Sequence, residues 1–194
     1  MKWFALALIL HSGMPCQAEN PVAVTTHLAG TPVHQDELDL HTARQRAMVA
    51  VHFKERHGVT LDNETAWRSS FDGEVPEQML SRNAMRSCLH DKAIQILAAK
   101  HGVGRILPFP GFAAHVETIN QQRRATLMNG GRIHGPVRFT AWQLYRYEID
   151  NMHLRLTQVL APGASNDAGP VKVESVVREL LETNKAAKLD DIDP

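Results

Sequence analysis

Histidine is the residue type that invites a chemical reading of this sequence, because eleven of them are spread through 194 residues. With a reference pKa of about 6.5, they would carry the chain positive in mildly acidic surroundings. Two stand close together in His52-Phe-Lys-Glu-Arg-His57, a segment that superficially resembles the helix of a zinc protease. That motif needs histidines four apart on one helical face, whereas residues five apart are turned by roughly 140° around the axis. The spacing excludes the motif. The other histidines are scattered singly, as solvated or capping residues are, and no cysteine stands at ligand spacing from a histidine. No metal and no cofactor is therefore expected.

Nucleophiles are no better placed. Ser69, Ser70, Ser81 and Ser87 lack a Gly-x-Ser-x-Gly setting, and Cys88 falls inside an apolar helical pattern. Gly102-Val-Gly104 and Gly130-Gly131 lack the spacing and the Lys-Ser/Thr pair of a phosphate-binding loop, so they read as helix stops. The paired carboxylates Asp190 and Asp191 read as solvated charge near a frayed end. No catalytic residue is assigned. Twenty-one basic residues balance 21 acidic ones without a Lys/Arg block, which argues against nucleic acid as a partner.

The elements that would position any site are helices. Residues 76–103 form the central one, opened by Pro76 and Glu77, closed by Lys100, His101 and Gly102, and apolar over more than half its circumference. A first helix spans residues 35–56, with His34 at its N-cap and His57-Gly58 at its end, and a third spans residues 112–128. Before them, a short strand is expected around Val22 to Thr26, then a turn over residues 29–33. Between the first two helices, residues 59–75 read as a polar connector pinned to the core by Trp67 and Phe71.

The fourth helix has the clearest pattern. Trp142, Tyr145, Ile149, Met152, Leu156 and Val159 follow one another at intervals of 3, 4, 3, 4 and 3, a single seam behind a capping box of Thr140 and Gln143. Burying six such side chains would contribute on the order of 10 kcal/mol before ordering entropy is subtracted, so this helix needs a partner. The seam is either core or an apolar groove for extended peptide, in which Trp142, Tyr145, Ile149, Met152 and Leu156 are the candidate binding residues. Both readings stand at this point.

The N-terminal 18 residues carry Lys2, an apolar run from Trp3 to Leu10, helix-breaking Gly13 and Pro15, and small residues Cys16 and Ala18 before a cleavage point. They read as a secretory signal, which places the mature chain in the periplasm or another extracytoplasmic space. No segment approaches the length of about 20 apolar residues that a membrane span needs. Cleavage after Ala18 would leave Cys88 as the one cysteine, and so no internal disulfide. The expected organisation is a signal over 1–18, a helical domain over 19–161, a linker over 162–171, an amphipathic helix over 172–188 and a tail over 189–194.

Three segments carry a family resemblance. Gly30, Val33, Glu37 and Leu38 fit a pattern in which a short strand ends in Asn-Gly and leads, through a Thr N-cap, into an acidic-then-apolar helix start; Ala29 replaces the Asn and His34 the Thr. Leu89 to Val103 resembles a helix that closes with Ala, three residues, Gly and an aliphatic, here Ala98, Gly102 and Val103. Val173 to Lys185 is similar to a short helix ending in Asn-Lys. In this order they resemble the N-terminal chaperone module of the SurA/PrsA-type exported peptidyl-prolyl isomerases. The resemblance implies an all-α, orthogonal multi-helix chaperone-like domain of about five helices with at most a short N-terminal strand, its central helix clasped by the first and fourth. It also implies a holdase for unfolded or extended segments of exported proteins. Only residues 186–194 follow the third segment, so no parvulin isomerase domain and no enzyme activity is expected. The alternatives are an escort for one secreted partner protein, or an isomerase.

Overall fold

A computed structural model describes residues 23–164 and 168–184. The expected signal over 1–18 and tail over 189–194 lie outside the described residues. The elements run β1 (Val24–Leu28), β2 (Thr31–His34), α1 (Gln35–His57), α2 (Glu64–Arg68), α3 (Pro76–Lys100), α4 (Phe112–Met128), α5 (Ala141–Leu160) and α6 (Ala168–Thr183). The fold is all-α with a two-stranded antiparallel sheet at its N-terminal end. No helix among the described residues is long and apolar enough to cross a membrane.

The hairpin is more complete than expected, because the residues read as a turn include a second strand. Leu28 pairs with Thr31 across the two-residue loop Ala29-Gly30, both with positive φ, at 49° and 77°. Such a loop matches the right-handed twist of the strands and prefers Asn-Gly. Proline at position 32 hid the second strand; a two-stranded sheet is all edge and tolerates a residue without an N–H. Alanine pays a steric penalty in the left-handed region that asparagine largely avoids. Ala29→Asn is therefore expected to stabilise the fold by about 0.5–1 kcal/mol, read as a rise of about 1–4 °C in the thermal midpoint. A fall in the midpoint would contradict this.

Leu28 and Val33, fully buried, dock the hairpin on α3. α3 also packs against α1, α2, α5 and α6, so the central helix is clasped by the first and fourth long helices, as expected, and by the last as well. Its C-terminus shows what the Ala98, Gly102, Val103 spacing does. Gly102 adopts φ 70°, Val103 N–H returns to Ala98 O at 2.9 Å, and Gly102 N–H returns to Ala99 O at 3.1 Å. That reciprocal pattern satisfies the last carbonyls and needs a residue at ease with positive φ. Gly104 then allows close approach: a Cβ there would sit 2.7 Å from Ala98 Cβ and 2.8 Å from Met152 Cγ.

Local punctuation sets most of the other boundaries. Gly58 at φ 68° closes α1. The capping box on Thr140 and Gln143 opens α5, each side chain bonded to the other's backbone N–H. His34 stands at the N-cap of α1 without a side-chain cap bond, so the first turn relies on Asp36 and Glu37. The expected linker is shorter than read, because α6 begins at Ala168 with Pro170 in its first turn, where a missing N–H is harmless. The connector contains the short α2, capped by Asn63 accepting from Ala66 N–H. Trp67 pins it into a second small core with Val49, Phe53 and Leu80, beside Phe71.

Candidate functional site

The α5 seam faces inward. Tyr145, Ile149, Met152 and Leu156 are 0, 1, 3 and 0% exposed, and they belong to the main core with residues of α3 and α6. Four of the five candidate binding residues thus form core, not groove; α3 and α6 cover the middle of the seam and leave its ends, Trp142 and Val159, half-buried and exposed. Trp142 is half-buried, its indole stacked on Tyr145 at 5.8 Å between centroids and standing edge-on to His41 at 5.6 Å.

Beneath that aromatic group runs a buried polar network. Glu37 of α1 lies 2.6 Å from the Lys92 ammonium of α3 through Oε2, and accepts from the Gln95 amide at 3.0 Å through Oε1. The Oε2 contact is a close ion pair off the ideal hydrogen-bond angle. Gln95 Oε1 in turn accepts from Leu107 N–H at 3.0 Å, fastening the chain after α3. Burial pushes the Glu37 carboxyl up, and Lys92 pulls it back.

His41 forms the second half. Its Nδ1 lies 3.0 Å from Ser87 Oγ, its Nε2 3.1 Å from the Tyr145 hydroxyl and 3.8 Å from Asp91 Oδ2. Burial lowers its pKa to about 4, so the ring is neutral at neutral pH. Asp91 meets Arg146 at 3.2 Å and His90 at 3.4 Å, and His90 reaches Glu174 of α6 at 2.9 Å. The bond to Asp91, and then that to Glu174, holds His90 protonated up to about 9. Burial pushes the Cys88 thiol and the Tyr145 phenol up, which makes both inert as nucleophiles.

This network contains an acid, a base and a lysine, yet none of its residues lines any of four clefts found among the described residues. The clefts over α4 and α5, at the α3–α5 corner, beside α2 and at the α5–α6 turn are lined by other residues. Its atoms are spent on joining α1, α3, α5 and α6. The sequence signal for it was Asp91-Lys92 and Gln95 in the middle of an otherwise apolar stretch, where a charge needs a partner.

A second cluster lies at the far end of α1. The connector turns at Asp72-Gly73, both with positive φ, between Phe71 and Glu74, which exchange backbone hydrogen bonds at 2.8 and 3.0 Å. The turn presents Glu74 to α1. Its Oε2 lies 3.2 Å from His52 Nε2 and 3.2 Å from His57 Nε2. His57 Nδ1 lies 3.2 Å from Asp72 Oδ2, and Arg56 lies 3.5 Å from the other Glu74 oxygen. The hydrogen bonds from His52 and His57 hold the Glu74 carboxyl below its ordinary range. The five-residue spacing excludes the protease motif, but it does not keep the two rings apart once a carboxylate from another segment enters between them.

The largely apolar cleft lies between α4 and α5, has a volume of about 420 Å³, and is floored by Val116, Phe139, Ala113 and Ala141. Asn120 fixes its wall by donating to Phe139 O at 3.0 Å and accepting from Phe139 N–H at 2.8 Å. Arg138 and Glu117, 3.8 Å apart, form its rim, and exposed Tyr147 packs beside Phe139 at 5.7 Å. Comparisons with family models, with curated proteins and with solved structures found no match.

Proposed function

We propose that this chain is an extracytoplasmic chaperone that shields unfolded or extended segments of exported proteins without covalent chemistry. The resemblance to the SurA/PrsA N-terminal module supplies the class, and the α4–α5 cleft is the observation that carries it. With the Trp142 seam in the core, client contact moves to this outer surface. The cleft floor accepts one apolar side chain, and Met128 of α4, Tyr147 of α5 and Val137 of the segment between them add exposed apolar area. Burying one aliphatic side chain is worth about 1.5–3 kcal/mol, which suits capture that must be reversible. Charge at Arg138 and Glu117 keeps the rim wet between clients.

Light scattering from an aggregating client tests the reading. The chain is expected to suppress aggregation at several-fold excess, and Tyr147→Ser with Val137→Ser is expected to lose most of that suppression while keeping the fold. Absence of suppression by the unaltered chain would sink the proposal. Capture of one stoichiometric partner, in place of many clients, would mark an escort; acceleration of proline-limited refolding would mark an isomerase.

A further inference from the structure

We propose that His52, His57 and Glu74 bind one zinc ion, with Asp72 as the outer carboxylate that orients His57. The three side chains each offer one donor atom, and these atoms all lie within 4.8 Å of one another. Zinc holds nitrogen and carboxylate oxygen at about 2.0–2.2 Å, which sets tetrahedral donors about 3.3 Å apart. Two of the three edges already have that length, at 3.2 Å from Glu74 Oε2 to each imidazole Nε2. In the metal-free chain these contacts are hydrogen bonds, longer than the about 2.7–2.9 Å of tight charge-assisted ones, and zinc would replace them at nearly unchanged donor spacing. Turning the partly exposed His52 ring closes the third edge.

His57 supplies the independent observation. Its Nδ1 faces Asp72 Oδ2 at 3.2 Å while its Nε2 faces Glu74. Ligating histidines characteristically donate their other ring N–H to a carboxylate, which fixes the tautomer and leaves the opposite lone pair for the metal. A His57 that donates from Nδ1 to Asp72 would leave its Nε2 lone pair facing Glu74 Oε2, and a metal ion between the two would take both as ligands. The Arg56 guanidinium does not fill that position, because it sits on the opposite oxygen, Oε1.

Two histidines and one carboxylate leave a fourth position for water. Since both histidines come from α1 and the carboxylates from the connector, the ion would clip the connector onto the end of α1 over Phe53 and Phe71. The rings of those two lie 5.7 Å apart. This inference is independent of the chaperone reading.

The test uses the full, tag-free chain after chelator treatment, with zinc followed by equilibrium dialysis and metal analysis, and cobalt by its visible absorption. One zinc per chain is expected, with a tetrahedral cobalt spectrum and a rise in thermal midpoint on adding zinc. Glu74→Gln and His52→Ala should each weaken zinc binding at least 100-fold. Asp72→Asn changes a side chain that is 89% exposed, so it keeps the fold, and it should weaken binding about 10- to 100-fold. His134→Ala, at an exposed histidine elsewhere, should change nothing. Equal zinc affinity in the unaltered chain, Glu74→Gln and Asp72→Asn would overturn the proposal, as would an equal loss in His134→Ala.

Discussion

Replacing Lys92 by methionine is expected to cost the fold about 3–5 kcal/mol, seen as an earlier urea midpoint at unchanged slope. The substitution roughly keeps the volume but strands the Glu37 carboxylate, which is fully buried and otherwise meets only the Gln95 amide. A domain of this kind is stable by about 5–15 kcal/mol in total, so one such loss is a large share of it. Replacing both partners, Lys92→Met with Glu37→Leu, should be less costly than Lys92→Met alone. Removing both charges removes the desolvation cost that each imposes. Recovery should stay incomplete, because the Gln95 amide then keeps Leu107 N–H but loses its carboxylate acceptor. A loss below about 1 kcal/mol for Lys92→Met would show that the pair contributes little beyond what a screened surface pair does.

Mild acid is expected to weaken the fold through His41. Burial lowers its folded pKa to about 4 from the ordinary 6.5, so between those limits the unfolded chain binds a proton that the folded chain refuses. Stability from this group is complete above 6.5, falls as pH drops, and is lost by about 4. The shift corresponds to a loss on the order of 3 kcal/mol. Glu37 works the other way over part of that window, because its raised pKa lets the folded state take a proton first. The decisive measurement is therefore a difference: urea unfolding of the unaltered chain and of His41→Gln at several pH values between 4 and 6.5. Glutamine keeps hydrogen-bonding capacity toward Ser87 and Tyr145 without titrating, so its stability should be flatter with pH. Parallel curves would contradict the assignment. His90 has the opposite sign. Held protonated up to about 9, it contributes fully below 6.5 and loses its contribution as pH rises through 9, with a size reduced by its one-third exposure.

Sequence reading succeeded where structure is decided within a few residues. Pro76 opening α3, Asn129 closing α4, Gly58 closing α1 and the Thr140–Gln143 box opening α5 are all punctuation that acts over one turn. The buried polar network was hidden because its parts meet from far apart. Glu37 finds Gln95 across 58 positions, and His41 finds Tyr145 across 104. Periodicity identifies a seam but not what covers it, so for Trp142 to Leu156 core was the commoner meaning of the pattern and groove stayed open until α3 and α6 were in place. Glu74 was unreadable for the same reason. A lone glutamate after Asp-Gly becomes a partner for His52 and His57 only because the turn folds back on α1.

The clamp of Asn120 on Phe139 has a consequence for how cohesion is distributed. One side-chain amide reproduces the paired bonds of a strand ladder, and it ties α4 to the segment that enters α5. α4 packs chiefly on α5, whereas α1, α5 and α6 all share α3. The molecule therefore has a firmly knit body and one lighter arm, held by Asn120, by Arg123 on the His134 and Pro136 carbonyls, and by Phe112 and Val116 in the main core. Partial opening would release that arm and its loop together, and leave the polar network beneath Trp142 intact.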